Sequence, residues 1–342
     1  MVKQIVRLSL FFMIGLLIFT TCEDKVDKDT TPGIYFLQTF GGSIDEVGHS
    51  VQQTIDGGYI ITGYTVSFGS GSEDVWIIKT DSQGNEEWNQ TFGGSSSDVG
   101  YSVQQTTDGG YIIVGYTQSS GSGESDVWLI KTDLDGNEEW NQTFGGTGWD
   151  VGFSIQLTND GGYIIAGGTS SYGNGDYDFW LLKVSSDGKE EWNQTFGGTG
   201  WDVGYSVQQT INRGYIIAGR TNYDCWMIKT DFLGDEEWSK TFGGWEINEG
   251  RSVQQTTDGG YIVTGWTISF EFNNMDIWLL KTDSQGNKEW YRNFGKSNND
   301  VGYSVQQTID DGYIITGETQ SFGNGKSDVW LIKTNSKGKI EP

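Results

Sequence analysis

Four short apolar runs, separated by turn signals, recur along the chain. Between Thr91 and Gln142 they read Ser102–Thr106, Tyr111–Thr117, Asp126–Thr132 and Glu139–Phe144. Each has strand length and a β-branched or aromatic composition, and none reaches helix length with a 3.6-residue period. Asp108-Gly109-Gly110 predicts a tight hairpin after the first run, because glycine accepts positive φ without steric cost. Asp133-Leu134-Asp135-Gly136-Asn137 turns the third run into the fourth. The middle runs are apolar on both faces: Tyr111 and Ile113 oppose Ile112 and Tyr116, and Trp128 and Ile130 oppose Val127 and Leu129. A sheet with one wet face would alternate apolar with polar, so these sheets must be covered on both sides.

The unit repeats to the end of the chain. Its phenylalanine returns as Phe40, Phe92, Phe144, Phe196, Phe242 and Phe294, which places repeats near residues 39, 91, 143, 195, 241 and 293. A period of this length marks solenoids, propellers or arrays. Four-stranded antiparallel sheets that need cover on both faces fit a six-bladed β-propeller, all-β, over residues 34–342. The last repeat stops at Pro342, where a fourth strand is due, and Ile34–Phe40 matches that missing strand, with Phe36 in the tryptophan column. The N-terminal strand is therefore expected to complete the last blade and close the ring. Two tryptophan columns, Trp76 to Trp330 and Trp88 to Trp290, are expected as inter-blade core.

Residues 1–22 precede the ring as a leader: Lys3 and Arg7, then the apolar run Leu8–Phe19. That run is short for a membrane span and fits a signal-peptide core. Cys22 follows and then a charged tether, 23–33, an arrangement that resembles a lipoprotein signal with Cys22 as the lipidated residue. An uncleaved anchor and plain secretion are the alternatives; each places the protein at the cell envelope, on the surface or outside the cell, with any membrane contact through the leader or its lipid. A formal charge of −25 argues against nucleic acid as a partner and suits a soluble, monomeric exterior. Cys225 stands in a column of Val, Phe and Ile, so it reads as a small core residue rather than a disulfide or metal ligand.

A residue identical in every blade serves the blade, so function is sought where blades differ. The constant glycines, Gly63 to Gly317, sit inside the second strand and mark a close approach of another chain or a bulky ring, a neighbouring tryptophan being a natural occupant. The repeated Asp74 and Lys79 columns read as structural hydrogen bonds or ion pairs, as does the acid column of Glu46, Asp98, Asp150, Asp202 and Asp300. Surplus tryptophans gather on blades three to five, at Trp149, Trp201, Trp245 and Trp266, and blade four has a shortened hairpin, Thr221–Asp224. These predict a recess with the four tryptophans as flat platforms and Arg220 and Tyr223 as polar contacts, suited to a glycan or a surface protein. The competing reading packs the same rings into the core.

Signals for catalysis are absent. His49 is the one histidine, no nucleophile motif accompanies it, and no phosphate-binding or dinucleotide fingerprint occurs. No catalytic residue, metal or cofactor is assigned. Asn89, Asn141 and Asn193 open three N-glycosylation sequons on the fourth strand. The motifs DGGYIIVGYT, DVWLIKTD and GNEEW resemble those of exported prokaryotic β-propeller repeat proteins, kelch-like or quinoprotein-like in form. That resemblance covers residues 34–342 and implies export and a propeller, with no reaction attached. The reading is a non-catalytic, surface-displayed propeller for recognition or adhesion; the alternatives are an exported glycosidase using two carboxylates and a structural envelope protein. Mass spectrometry of the native protein checks the leader: an acylated N-terminal Cys22 supports the lipoprotein reading, and an unprocessed Met1 contradicts it.

Overall fold

Within each repeat the runs pair with their chain neighbours as an antiparallel meander, as short hairpin connections require. The computed structural model describes residues 36–243, 247–268, 274–323 and 326–340. The first sheet is β1 (Glu46–Gln53), β2 (Tyr59–Thr65), β3 (Asp74–Thr80) and β4 (Glu86–Phe92). Then β5–β8 run from Asp98 to Phe144, β9–β12 from Asp150 to Phe196, β13–β16 from Asp202 to Phe242, β17–β20 from Ile247 to Phe294, and β21–β23 from Asp300 to Thr334. The protein is an all-β, six-bladed β-propeller with no helix among the described residues. In the second blade β5 (Asp98–Gln105) begins at Asp98 rather than Ser102. The register shifts between Gly100 and Ser102, so Tyr101 is a bulge residue that interrupts the alternation.

Blades stack through the apolar faces of their middle strands. Ile112, Val127 and Leu129 of one blade pack on Ile155, Tyr163 and Trp180 of the next. The strand glycine admits a close approach of neighbouring backbone, not of the tryptophan named as its natural occupant. A Cβ on Gly115 would collide with the carbonyl of Val99 on the adjacent strand, at the bulge, and not with a tryptophan. The glycines that do face tryptophan lie in the 3–4 turns: Gly136 under Trp88, Gly188 under Trp140 and Gly234 under Trp192.

The lysine column is buried in the first five blades, at Lys79, Lys131, Lys183, Lys229 and Lys281. Lys131 Nζ reaches Asp108 at 3.0 Å, Glu139 at 2.7 Å and the carbonyl of Thr132 at 2.9 Å, using its three N–H donors. It therefore pins the 1–2 turn to the fourth strand, and its acid is in that turn, not the aspartate that opens the third strand. The opening aspartates lie at the seams instead. Asp126 and Asp150, both buried, flank Gly145, and Asp276 and Asp300 flank Gly295 in the same way. Asp150 accepts from Gly146 N at 2.8 Å and Ser171 Oγ at 2.6 Å.

Among the described residues the expected closure by Ile34–Phe40 is not seen: Ile34 and Tyr35 lie outside them, Phe36–Phe40 is not a strand, and β23 (Asp328–Thr334) pairs with β22 (Tyr313–Thr319) in a sheet of three described strands. Phe36 packs instead on the first blade, its ring 5.6 Å from Tyr59 and over Gly84. Trp88 takes the same station on the second blade, 5.7 Å from Tyr111. Phe36 thus makes the local, side-chain half of the expected contact, while the backbone half, which spans the whole chain, is not seen among the described residues. The faces across that seam are open: Val329 is 89% exposed, against 1% for its equivalent Val127.

Two predictions follow from these positions. Arg213 (φ 71°) and Asp311 (φ 59°) hold the positive-φ turn station that Gly57, Gly109, Gly161 and Gly259 hold elsewhere. Arg213→Gly and Asp311→Gly should each stabilise the fold by about 1 kcal/mol in denaturant titration. The second concerns pH. Burial raises the carboxyls of Asp74, Asp126 and Asp276, and the facing aspartate adds to it. A raised folded value means an unfavourable contribution at neutral pH that disappears as pH falls through that value. The Lys79 ammonium holds Asp56 down to about 2, so that stabilisation is present above about pH 4 and is lost as pH falls toward 2. The unfolding midpoint should therefore rise on mild acidification and drop at the acid extreme, and Asp126→Asn should reduce the rise.

Candidate functional site

The first strands of successive blades pack side by side, and their bulge residues project together. A bulge re-aims one side chain out of the pleat, and here it builds a ladder of rings. His49 lies 4.9 Å from Tyr101, Tyr101 5.1 Å from Phe153, and Phe153 5.3 Å from Tyr205. The next position along the ladder is Arg251, whose guanidinium stacks 4.3 Å over Tyr205. The residue after the strand glycine stands beside this ladder: Tyr64 is 5.8 Å from His49, and Tyr116 6.0 Å from Tyr101. In the third blade this residue is Gly168, and the ring of Tyr177 takes the space.

The pattern breaks at blades four and five. Glu249, on β17 (Ile247–Gln255), is 2% exposed in a column otherwise filled by Val47, Val99, Val151, Val203 and Val301. A buried carboxylate requires donors. It accepts from Trp266 Nε1 at 3.1 Å, faces Arg220 Nη1 at 3.4 Å, and pairs closely with Arg251 Nε. Trp266 lies directly opposite Glu249 on β18 (Tyr261–Ile268). Burial raises the Tyr205 phenol, and the neighbouring Glu249 carboxylate adds to the rise.

The recess expected from sequence is therefore only partly assembled. Trp149 and Trp201 are exposed at 47% and 52%, and Tyr223 is exposed beside them on the shortened hairpin. Asn222 gives that hairpin its positive φ, 48°, and Thr221 pairs with Asp224 around it. Trp201 stacks on Tyr177, centroids 4.8 Å apart. Trp149 and Trp201 each bridge to the hairpin of the preceding blade, which places crossovers and 2–3 hairpins on one rim, as expected. Trp266, at 7% exposure, is not a platform, because its indole N–H is committed to Glu249. Arg220 serves the same carboxylate, and Trp245 lies outside the described residues. The sequence pattern alone does not single out Glu249 and Arg251; the signal it holds is a lone acid in a valine column and a lone cation in an aromatic one.

Other candidates have structural tasks. The amide oxygens of Asn89, Asn141 and Asn193 accept from the indoles of Trp76, Trp128 and Trp180 at 3.1, 3.1 and 3.2 Å. Each Nδ2, the atom that would carry a glycan, donates to a glutamate at 2.6 Å. Cys225 is buried, and burial pushes its thiol up, as suits a core residue. Asp133 accepts from the N–H groups of Asp135 and Asn137 at 2.9 and 2.8 Å, closing a hairpin turn.

No family model matches the chain, and no curated protein matches it. Solved structures do resemble it. The WD40 domain of Neurospora crassa Pan2 aligns with a TM-score of 0.50 at 9% identity, over 86% of this chain and 76% of that one. A protein of unknown function from Bacteroides caccae aligns with a TM-score of 0.48 at 13% identity, over 82% and 91%. A Lactobacillus plantarum protein aligns with a TM-score of 0.48 at 11% identity, over 85% and 86%. At such identities the likeness is one of fold.

Proposed function

We propose that this protein is a non-catalytic recognition propeller, displayed outside the cytoplasm behind its N-terminal leader, that binds a glycan on the rim of Trp149, Trp201 and Tyr223. The observation that carries the reading is the exposure of two tryptophans on neighbouring crossovers. Large rings left in water next to a shortened hairpin offer flat apolar faces with polar edges, the surface that a sugar ring or an aromatic anchor stacks on. The fold itself does not ask for them: the same crossover tips carry Ser97 in blade two and Asn299 in blade six.

A glycosidase reading needs two carboxylates facing each other across a groove. Glu249 is the best-placed acid, and it is consumed by Arg220, Arg251 and Trp266. The seam aspartates are buried between blades. Recognition is therefore favoured over hydrolysis.

A glycan array with the purified protein tests the reading. Wild type should bind a defined set of oligosaccharides, and Trp149→Ala and Trp201→Ala should each weaken binding by about tenfold or more, a typical loss for an aromatic anchor at a recognition surface. Both side chains are half-exposed, so the variants should fold normally. No binding across the array, or binding unchanged in both variants, contradicts the reading.

A further inference from the structure

Arg220, Glu249, Arg251 and Trp266 depart from the repeat together, and all four meet in one place. Elsewhere the Glu249 position is valine, and the Arg251 position is His49 or a ring. The blade does not need the ions, because the others are built without them. A buried ion cluster of this kind is often no more stabilising than apolar residues of the same volume. Its geometry is that of a holder. Glu249 fixes two guanidinium groups at once, through Arg220 Nη1 and Arg251 Nε, while Tyr205 supports the second from its ring face at 4.3 Å.

Each guanidinium has five N–H donors. Among the described residues, Glu249 is the one anionic group that either arginine contacts, and the Arg220 and Arg251 side chains remain 27% and 35% exposed. The Nε atoms of Arg220 and Arg251 are both buried without a hydrogen-bond partner, the second meeting Glu249 as an ion-pair contact only. Among the described residues, two guanidinium groups thus share one directly paired carboxylate. Glu318 on the next blade accepts from Tyr303 Oη at 3.3 Å and Ser327 Oγ at 2.5 Å and forms no ion pair with either arginine. Arg220 lies one residue inside the Thr221 end of β14 (Tyr215–Thr221), and Asn222, the next residue along, binds the carbonyl of Trp201 at 2.9 Å. The Arg220 backbone therefore lies two residues from the hairpin position bonded to the Trp201 backbone.

We propose that Arg220 and Arg251 form the anchor for an oxyanion carried on a sugar ring, a uronate carboxylate or a sulfate ester, so that the ligand is an acidic saccharide. A planar guanidinium pre-oriented by a buried acid presents paired N–H groups that match such an oxyanion. The inference rests on the rim-recognition reading and adds its charge requirement.

Isothermal titration of the full protein tests it with four probes: an oligogalacturonate, its neutral methyl ester, a sulfated oligosaccharide and the unsulfated parent. At least one acidic probe should bind about tenfold tighter than its neutral counterpart, and that advantage should shrink with added salt. Preference for the uronate assigns the carboxylate, and preference for the sulfated probe assigns the ester; both support the anchor. The decisive variant returns the cluster to the pattern of the other blades: Arg220→Tyr, Glu249→Val and Arg251→Tyr combined. It leaves no orphaned ion, and although the Trp266 indole N–H loses its acceptor, a cooperative thermal unfolding transition should confirm that it folds, and it should lose the acidic preference while still binding the neutral probes. Equal affinity for acidic and neutral probes in wild type, or a preference that survives in the folded triple variant, overturns the anchor and leaves the rim reading standing. Failure of all four probes to bind, alongside an empty glycan array, overturns both.

Discussion

The stack depends on how the inner edge of each sheet is closed. The first strand of a blade has one free edge, and its N–H groups need acceptors once neighbouring blades exclude water. The preceding blade supplies them from side chains. Ser102 Oγ and Gln104 Oε1 accept from Ile155 N at 3.4 Å and Leu157 N at 2.9 Å. Ser206 and Gln208 do the same for Val253 and Gln255 at 3.1 and 2.5 Å, and Ser252 and Gln254 for Val305 and Gln307 at 3.3 and 2.6 Å. In return, the second glutamine of the later blade accepts from the turn of the earlier one, as Gln105 does from Ile55 N at 2.8 Å. Each such bond contributes about 1 kcal/mol, while leaving a buried N–H unmade costs more. This cross-linking accounts for the Ser-Val-Gln-Gln segment of five blades, the third reading Ser154-Ile155-Gln156-Leu157, and it sets the spacing at which the bulge residues form their ladder.

Much of this was legible in the amino-acid order because a repeat averages out local ambiguity. The middle strands Tyr111–Thr117 and Asp126–Thr132 keep the bounds that their apolar runs set. What escaped was information about which partner a residue meets. The strand glycine Gly115 makes room for a backbone carbonyl, and a close approach of that kind leaves no compositional trace. Lys131 pairs with acids in a turn and in the fourth strand, and the sequence holds several candidate acids at comparable distance along the chain. Closure by Ile34–Phe40 rests on column matching, which recognises a strand-like sequence without weighing whether distant ends meet. Trp266 was read as a platform by its aromatic character alone, yet Glu249 directly across the sheet draws it inward.

Symmetry also separates what folds the chain from what equips it. The seam aspartates and the buried lysines recur along most of the chain, and the indole-capping asparagines in the first three blades, each with structural partners. The ions at Arg220, Glu249 and Arg251 and the exposed rings at Trp149 and Trp201 have no such recurrence. A fold that repeats its supporting contacts can carry a local departure of this kind, because each blade is held chiefly by its immediate neighbours.

The most direct test of the central interaction is native-state hydrogen exchange on the Gln104→Ala and Gln156→Ala variants. Removing these acceptors should raise exchange at Leu157 and Gln209 respectively toward that of an unprotected amide, while the amides of Tyr111–Thr117 and Asp126–Thr132 stay slow. Unchanged protection at Leu157 and Gln209 would show that the blades are joined without these side chains, and would contradict the account.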